Sequence, residues 1–222
     1  LAYFFVLEEG MSAYRLRKWA LTHKHSYGRD IPSQQISDLM GSIDEASKMN
    51  FFRRQAKRRA EKEYLAFDTT SISSYSELIK LAKYGKNKEG DHLPQVNLAL
   101  LYGEVSRLPV YFRKLTGNTA DVSLIRNLML DIDFLDMKKL SFVMGRGFYS
   151  EKNINDLMKR HHKFLIGIRC GLKIARKHLD EIRGEKMISW ENYHDDVGLY
   201  AMSFTDEWDY REEKPRTGRC IC

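Results

Sequence analysis

The sequence predicts an α/β fold, in which a mixed β-sheet is flanked by helices and preceded by a helical N-terminal segment. Two observations lead to this prediction. Residues 1–62 carry the apolar spacing of helices. From residue 63 onwards, three strand-like stretches follow one another, and after them helices and strands alternate. Three leading strands followed by such alternation favour a sheet that holds both antiparallel and parallel pairs.

The predicted N-terminal domain, residues 1–62, is helical and basic. In IPSQQISDLMGSI, Ser33 precedes an apolar run and is predicted to cap a helix. The next stretch, DEASKMNFFRRQAKRRAEKE, is predicted to be a longer helix with a thin apolar side and many Lys and Arg residues. Such a helix either contacts DNA phosphates or presents a solvated face, and the sequence alone leaves both interpretations open.

The predicted second domain, residues 63–222, contains the sheet. Strands are predicted at EYLAFDTTSIS, at LPQVNLALLY and RLPVYFRKL, which pair as a hairpin, at LSFVM, which we expect to be buried on both faces, and at KFLIGIR. Helices are predicted at NTADVSLIRNLMLDID, at SEKNINDLMKRHH with Ser150 as its cap, and at LKIARKHLDEIR. The tail is predicted to form hairpins. This order of strands and helices is ribonuclease H-like.

Composition and charge restrict the class of protein. The formal net charge of +7 favours a polyanionic partner without requiring one. The three cysteines are an odd number, which argues against a disulfide framework and indicates a reducing, cytoplasmic compartment. No apolar run approaches the ~20 residues that a membrane helix needs, so we expect no membrane partner. Because the chain starts on Leu and stops at GRCIC without a visible closing element, we expect a fragment.

Asp68 is the first candidate for a functional side chain. It ends the apolar run that begins at Tyr64, and two threonines follow it. A carboxylate in this place either starts a turn through hydrogen bonds to its own backbone or binds a hard divalent cation. The local sequence does not decide between a turn and a metal ligand.

Three stretches, taken together, point to a family. FDTTSISSYS, then AKYGKNKEGDHLPQVNLALLYGEVSRLPVYFRKLTGNTAD, and then FVMGRGFYS resemble, in this order, the DDE transposases of bacterial and archaeal insertion sequences. In that family the first catalytic Asp closes a strand before two threonines, and the second stands in a DRGF(Y/F)S run. On this comparison Asp68 matches the first carboxylate, and Gly145 stands at the vacated position of the second.

The resemblance implies an enzyme of phosphodiester chemistry, a DNA transposase that cleaves DNA and transfers strands. It implies Mg²⁺ or Mn²⁺ as the cofactor and Asp68 as a metal ligand. The implied partners are the terminal inverted repeats of a transposon and further copies of the chain in a homo-oligomer. The implied location is the cytoplasm of a prokaryote, with the nucleoid.

Gly145 predicts that this copy is catalytically inactive. The family needs two metal ions about 3.5–4 Å apart, held by carboxylates of two neighbouring strands and by an acid on a later helix. A glycine supplies no ligand. The later acid is also not recognised, since Glu212 and Glu213 lie in a contiguous DYREEKPR run rather than at helical spacing. We therefore expect the domain to be truncated before the third acidic residue.

Basic residues near the expected site are candidates for DNA contact. Lys83, Lys86 and Lys88 lie on the predicted loop between the first two strands, and Arg146 follows Gly145 directly. A flexible polar loop would explain the three lysines equally, and a structural ion pair would explain Arg146.

The resulting prediction is an inactive insertion-sequence transposase. One alternative is a non-catalytic DNA-binding remnant that interferes with full-length transposase through mixed assembly. A further alternative is a divergent nuclease in which Asp121 or Asp133 replaces the missing carboxylate.

Overall fold

The structure is a computed structural model. It describes residues 1–8, 12–59, 63–85, 90, 92–119, 123–183, 188–208 and 216–221. The chain forms two compact units, Leu1–Phe52 and Arg53–Cys222. Among the described residues, no helix combines the length and the apolar character that crossing a membrane requires. The predicted division between residues 62 and 63 separates a DNA-contacting part from a catalytic part, and it stays a prediction.

The first unit is helical and has its own small core. It contains α1 (Ala2–Leu7), a 3-10 turn (Ala13–Arg15), α2 (Leu16–Ala20), α3 (Ser33–Ser42) and the first part of α4 (Glu45–Arg59). Phe4, Leu16 and Ile36, which come from α1, α2 and α3, form the core. The ring of Trp19 meets that of Phe4 edge-on, with centroids 5.8 Å apart. This contact attaches the end of α2 to the core.

The predicted cap at Ser33 is wrong by one residue. Helix α3 begins at Ser33 itself, and its N-cap is Pro32, which makes no side-chain cap hydrogen bond. The ring of Pro32 fixes its φ near −63°, and its extended ψ of 151° ends the preceding loop. The helix therefore starts directly after the proline, and Ser33 falls inside the first turn.

The second unit is built on a five-stranded mixed sheet in the order β3-β2-β1-β4-β5. The strands are β1 (Tyr64–Ser73), β2 (Gln95–Gly103), β3 (Pro109–Thr116), β4 (Ser141–Met144) and β5 (Lys163–Ile166), and the helices are α5 (Leu124–Phe134), α6 (Glu151–Lys159) and α7 (Lys173–Ile182). β1, β2 and β3 pair antiparallel, whereas β4 is parallel to both β1 and β5. This is the ribonuclease H-like arrangement, so the predicted fold class and the predicted β2–β3 hairpin are confirmed.

Helices α5 and α6 cover one face of this sheet. Connections between parallel strands are almost always right-handed, which brings α5, between β3 and β4, and α6, between β4 and β5, to the same face. On that face Leu65, Phe67, Phe142 and Met144 are buried. Val143 points the other way and is 37% exposed, so the prediction that β4 is buried on both faces is wrong.

The alternation predicted for β2 is present, and its polar side is the buried one. The side-chain amides of Gln95 and Asn97 donate hydrogen bonds to the carbonyl oxygen of Gly117, at 2.9 and 3.2 Å. Lys83 and Gln95 exchange two backbone hydrogen bonds of 3.0 Å each. This cluster ties the segment before β2 to the end of β3, which explains why amides occupy positions that face the core.

The tail forms hairpins, as predicted, namely β6 (Tyr193–His194) with β7 (Leu199–Tyr200) and β8 (Ser203–Trp208) with β9 (Arg216–Ile221). Strand β8 is attached to α7 through His178, which is buried and stacks on the ring of Phe204. Its Nε2 hydrogen-bonds Oδ2 of Asp206 at 2.5 Å. This hydrogen bond, together with a weaker one from Lys177, holds the pKa of Asp206 below its ordinary value.

We expect Gly117→Ala to destabilise the second unit by about 3 kcal/mol. A Cβ at this position would lie 2.0 Å from the carbonyl oxygen of Gln95 and 2.4 Å from that of Lys83, and neither backbone atom can move without breaking the cluster. Urea unfolding followed by circular dichroism measures the loss. The control is Gly145→Ala, whose Cβ meets nothing within 4 Å and should cost less than about 0.5 kcal/mol. Equal losses in the two variants would contradict the prediction.

We expect Asp206→Asn to lower the free energy of unfolding by about 1–3 kcal/mol at pH 7, because the hydrogen bond from His178 loses its charged acceptor. The folded-state pKa of Asp206 is depressed, so its contribution is present above the unfolded value of about 3.9 and is lost as the pH falls through the folded value. Urea unfolding across this pH range should show the two proteins converging in acid. The control is Asp180→Asn, which removes one partner of an exposed ion pair with Arg183 and lies on α7, the helix of His178. This change should leave the free energy of unfolding nearly unchanged across the pH range.

Candidate functional site

The pairing of β1 with β4 brings Asp68 and Gly145 together. The parallel register runs from Tyr64 opposite Ser141 to Phe67 opposite Met144. Asp68 and Gly145 are therefore the next residues along these two strands. Neighbouring strands lie about 4.8 Å apart, so the two positions are side by side at the carboxyl end of β4.

Both positions belong to the open face of the sheet. In β1 the buried side chains of Phe67 and Thr69 flank Asp68, which is exposed. In β4, Met144 is buried and Val143 is exposed. Gly145 continues the strand with extended backbone (φ −71°, ψ 166°), so a side chain there would lie on the face of Asp68.

Gly145 is not required by the backbone or by space. Its φ is negative, which any residue adopts, and a Cβ built on it meets nothing within 4 Å. The Cβ of a larger residue would therefore meet no neighbour at this position. The packing around the corner therefore does not decide which residue occupies position 145.

The corner after Gly145 is fixed by packing. Residues Arg146–Phe148 form a 3-10 turn, and the buried ring of Phe148 packs 4.9 Å from that of Phe67. Ser150 caps α6, as predicted, by accepting a hydrogen bond from the backbone nitrogen of Asn153 at 3.1 Å. The amide of Asn153 in turn donates to the carbonyl oxygen of Phe148 at 2.7 Å. These contacts hold the backbone that follows Arg146.

Arg146 is exposed at the end of the sheet where the parallel strands finish. Within the part of the chain that the structure describes, it forms no salt bridge. Gly167, which follows β5, lies close to this corner. A Cβ added to Gly167 would lie 3.1 Å from the backbone nitrogen of Arg146. Arg169 and Lys173 follow β5 at this end and are exposed as well. Sequence analysis missed both, although their place after a strand parallel to β4 was the available signal.

The predicted lysines lie farther along the sheet. Lys83 is held beside Gln95, which pairs with Ser73, so it is anchored roughly 17 Å beyond Asp68 along β1. Its side chain is exposed. Lys86 and Lys88 lie outside the described residues, so their DNA-contact assignment stays a prediction.

The described residues do not fit a two-metal site. Asp68 supplies a carboxylate, Gly145 supplies none, and no group of three or more His, Cys, Asp or Glu side chains within the described ranges is placed to hold a metal ion. Asp133 forms an ion pair with Arg160, near the ends of α5 and α6 that lead into the parallel strands, and so lies at the opposite end of the sheet from Asp68. Asp121, Glu212 and Glu213 lie outside the described residues.

Comparison with known proteins gives one family match, the transposase DDE domain, over residues 59–214. Among curated proteins no match was found. Two similar solved structures are a simian T-cell lymphotropic virus intasome in complex with PP2A regulatory subunit B56 gamma (12% identity, TM-score 0.33, 63% of this chain and 46% of that chain) and a piggyBac transposase synaptic complex with hairpin DNA (12%, 0.46, 99% and 50%). A third is the Mos1 transposase paired-end complex with the left transposon end (12%, 0.34, 81% and 68%). The chain spans about half the length of the first two.

We expect Gly145→Asp to create a Mn²⁺ site together with Asp68, because the new carboxylate would stand beside the existing one. Affinity measured by isothermal titration calorimetry should rise at least about tenfold over the unsubstituted chain. Gly145→Asn, which has the same size without the charge, is the matched control. Adding Asp68→Asn to Gly145→Asp should abolish the gain. If Gly145→Asp binds Mn²⁺ no better than Gly145→Asn, the two positions do not face one ion.

Proposed function

Because the chain belongs to the transposase DDE domain family, we propose that it is a DNA-binding insertion-sequence transposase whose catalytic step is blocked at Gly145. The observation that carries the proposal is the register of β1 and β4, which sets Asp68 beside a residue without a side chain. The chemistry of the family, phosphodiester cleavage and strand transfer, depends on positioning and on neutralising charge. Without one of two facing carboxylates, the site can neither position the metal ions nor neutralise the developing charge.

Mg²⁺ or Mn²⁺ would supply the charge neutralisation in this reaction. Asp68 is the side chain at this edge that would hold such an ion, and as a lone carboxylate it would hold it weakly and largely hydrated. The loss of the neighbouring ligand is expected to cost several kcal/mol of transition-state stabilisation, which corresponds to a factor of about 10³ or more in rate.

DNA binding does not depend on Gly145. The net charge of +7 and the exposed cations Lys83 and Arg146 support contact with the phosphate backbone. Arg169 and Lys173, exposed at the same end of the sheet as Arg146, add to this surface. Lys86 and Lys88 belong to the same proposed contact set. The terminal inverted repeats of the transposon are the proposed DNA, and the cytoplasm of a prokaryote, with the nucleoid, is the proposed location.

A second candidate function follows from the same observation. A chain that keeps the sheet and its cations but lacks a metal ligand would occupy transposon ends without cutting them. If it takes the place of an active relative in an oligomer, the resulting mixed complex would contain an active site that cannot cleave DNA. The protein would then act as an inhibitor of transposition.

We expect the purified chain to bind duplex DNA taken from the genomic sequence on either side of its gene. We also expect it to leave supercoiled plasmid intact in the presence of Mg²⁺ or Mn²⁺. Gel shift measures the binding, and conversion of supercoiled to open-circular plasmid measures nicking. Asp68→Ala is the control, because any nicking that survives it comes from a contaminant. Nicking by the unsubstituted chain that Asp68→Ala abolishes would show that the site is active and would defeat the proposed block.

A further inference from the structure

The first unit contains a basic groove that the proposed active site does not use. It has a volume of about 310 Å³ and lies along residues 17–30. The titratable side chains that line it are Arg17, His23, Lys24, His25, Arg29 and Asp30. It therefore presents three fixed positive charges against one negative charge, with two imidazoles between them.

The fold of this unit holds the groove open. Arg17 follows the core residue Leu16 on α2, so its backbone is anchored. Gly28 adopts a left-handed backbone (φ 66°), which turns the chain back toward α2. The turn brings Asp30 to Nε of Arg17 at 3.0 Å. Because Asp30 takes the Nε side of the guanidinium, the two terminal nitrogens stay available to an oxyanion.

One wall of the groove contains the ring of His23, which is supported from behind by Trp19. The ring of His23 lies on that of Trp19, with centroids 4.4 Å apart and planes 6° from parallel. Its Nδ1 donates a hydrogen bond to the carbonyl oxygen of Trp19 at 3.0 Å, which leaves Nε2 directed away from this bond. Since Trp19 packs on Phe4, the wall is continuous with the core of the unit.

We propose that this groove binds a backbone phosphate of duplex DNA, an inference that rests on the proposed function. Lys24 and Arg29 have no acidic partner among the described residues, so their charges face solvent and a ligand rather than an internal pair. All three cations are exposed, which suits a polymer that passes over the surface better than a small molecule that must be enclosed. Leu21, 82% exposed in the lining, offers an apolar contact to a deoxyribose.

The test is the salt dependence of duplex binding by the whole chain, measured by fluorescence anisotropy. Each phosphate contact steepens the slope of log affinity against log salt by about 0.9. Lys24→Gln and Arg29→Gln should each reduce the slope by about one. Lys18→Gln removes the same charge from an exposed position on α2 outside the groove lining, and should leave the slope unchanged. Circular dichroism confirms that the variants fold alike.

The outcomes separate this proposal from the proposed function. If the chain binds duplex DNA and the groove variants keep the slope of Lys18→Gln, the groove assignment is overturned while DNA binding stands. If an RNA duplex shows the Lys24 and Arg29 effects and DNA does not, the assignment to DNA is overturned. If no duplex binds, the proposed function fails. Titration with inorganic phosphate, followed by NMR, then tests the groove alone. Phosphate-induced shifts of the His23 and His25 resonances that disappear in Lys24→Gln would uphold an anion site in the groove. Resonances that do not shift would overturn it.

Discussion

The parallel pairing of β1 with β4 is the constraint on which the rest of the structure depends. Its register is set by the covered face, where Leu65 lies opposite Phe142 and Phe67 opposite Met144. A slip of β4 by one residue would turn Phe142 and Met144 toward the open face, which their burial forbids. The positions of Asp68 and Gly145 are therefore a consequence of hydrophobic packing one residue earlier on each strand, and no interaction between the two is needed to place them.

This dependence explains why the geometry of the corner does not require a carboxylate at position 145. The corner after β4 is held by Phe148 against Phe67 and by the cap of α6, and none of these contacts involves position 145. Two carboxylates side by side repel each other unless a cation lies between them, so an aspartate here would serve chemistry and not stability. Folding alone therefore places no demand for a carboxylate at position 145.

Much of the fold could be predicted from local patterns, and the errors about which strand faces are buried have a common cause. The order of strands and helices, the β2–β3 hairpin and the cap at Ser150 each depend on a few neighbouring residues. The exposure of Val143 depends on which face the crossover helices reach, and the polar core face of β2 depends on a carbonyl contributed by Gly117. Arg169 was missed for the same reason, since only the strand order brings the residues after β5 to the edge beside Arg146. The local sequence therefore predicts the periodicity of a strand or helix, but it does not predict which other element will pack on each of its faces.

The proposed DNA contacts lie in both units, and this bears on how strong each of them must be. Exposed cations such as Lys24 or Arg146 each contribute little alone, because water and salt screen them. On a polymer such as DNA, many weak phosphate contacts add to one affinity. Neither set needs the buried, highly ordered geometry of an enclosed ligand site. The proposed DNA affinity therefore does not require a carboxylate at position 145, because such affinity is spread over many weak contacts, whereas catalysis of this kind is concentrated at a few neighbouring positions.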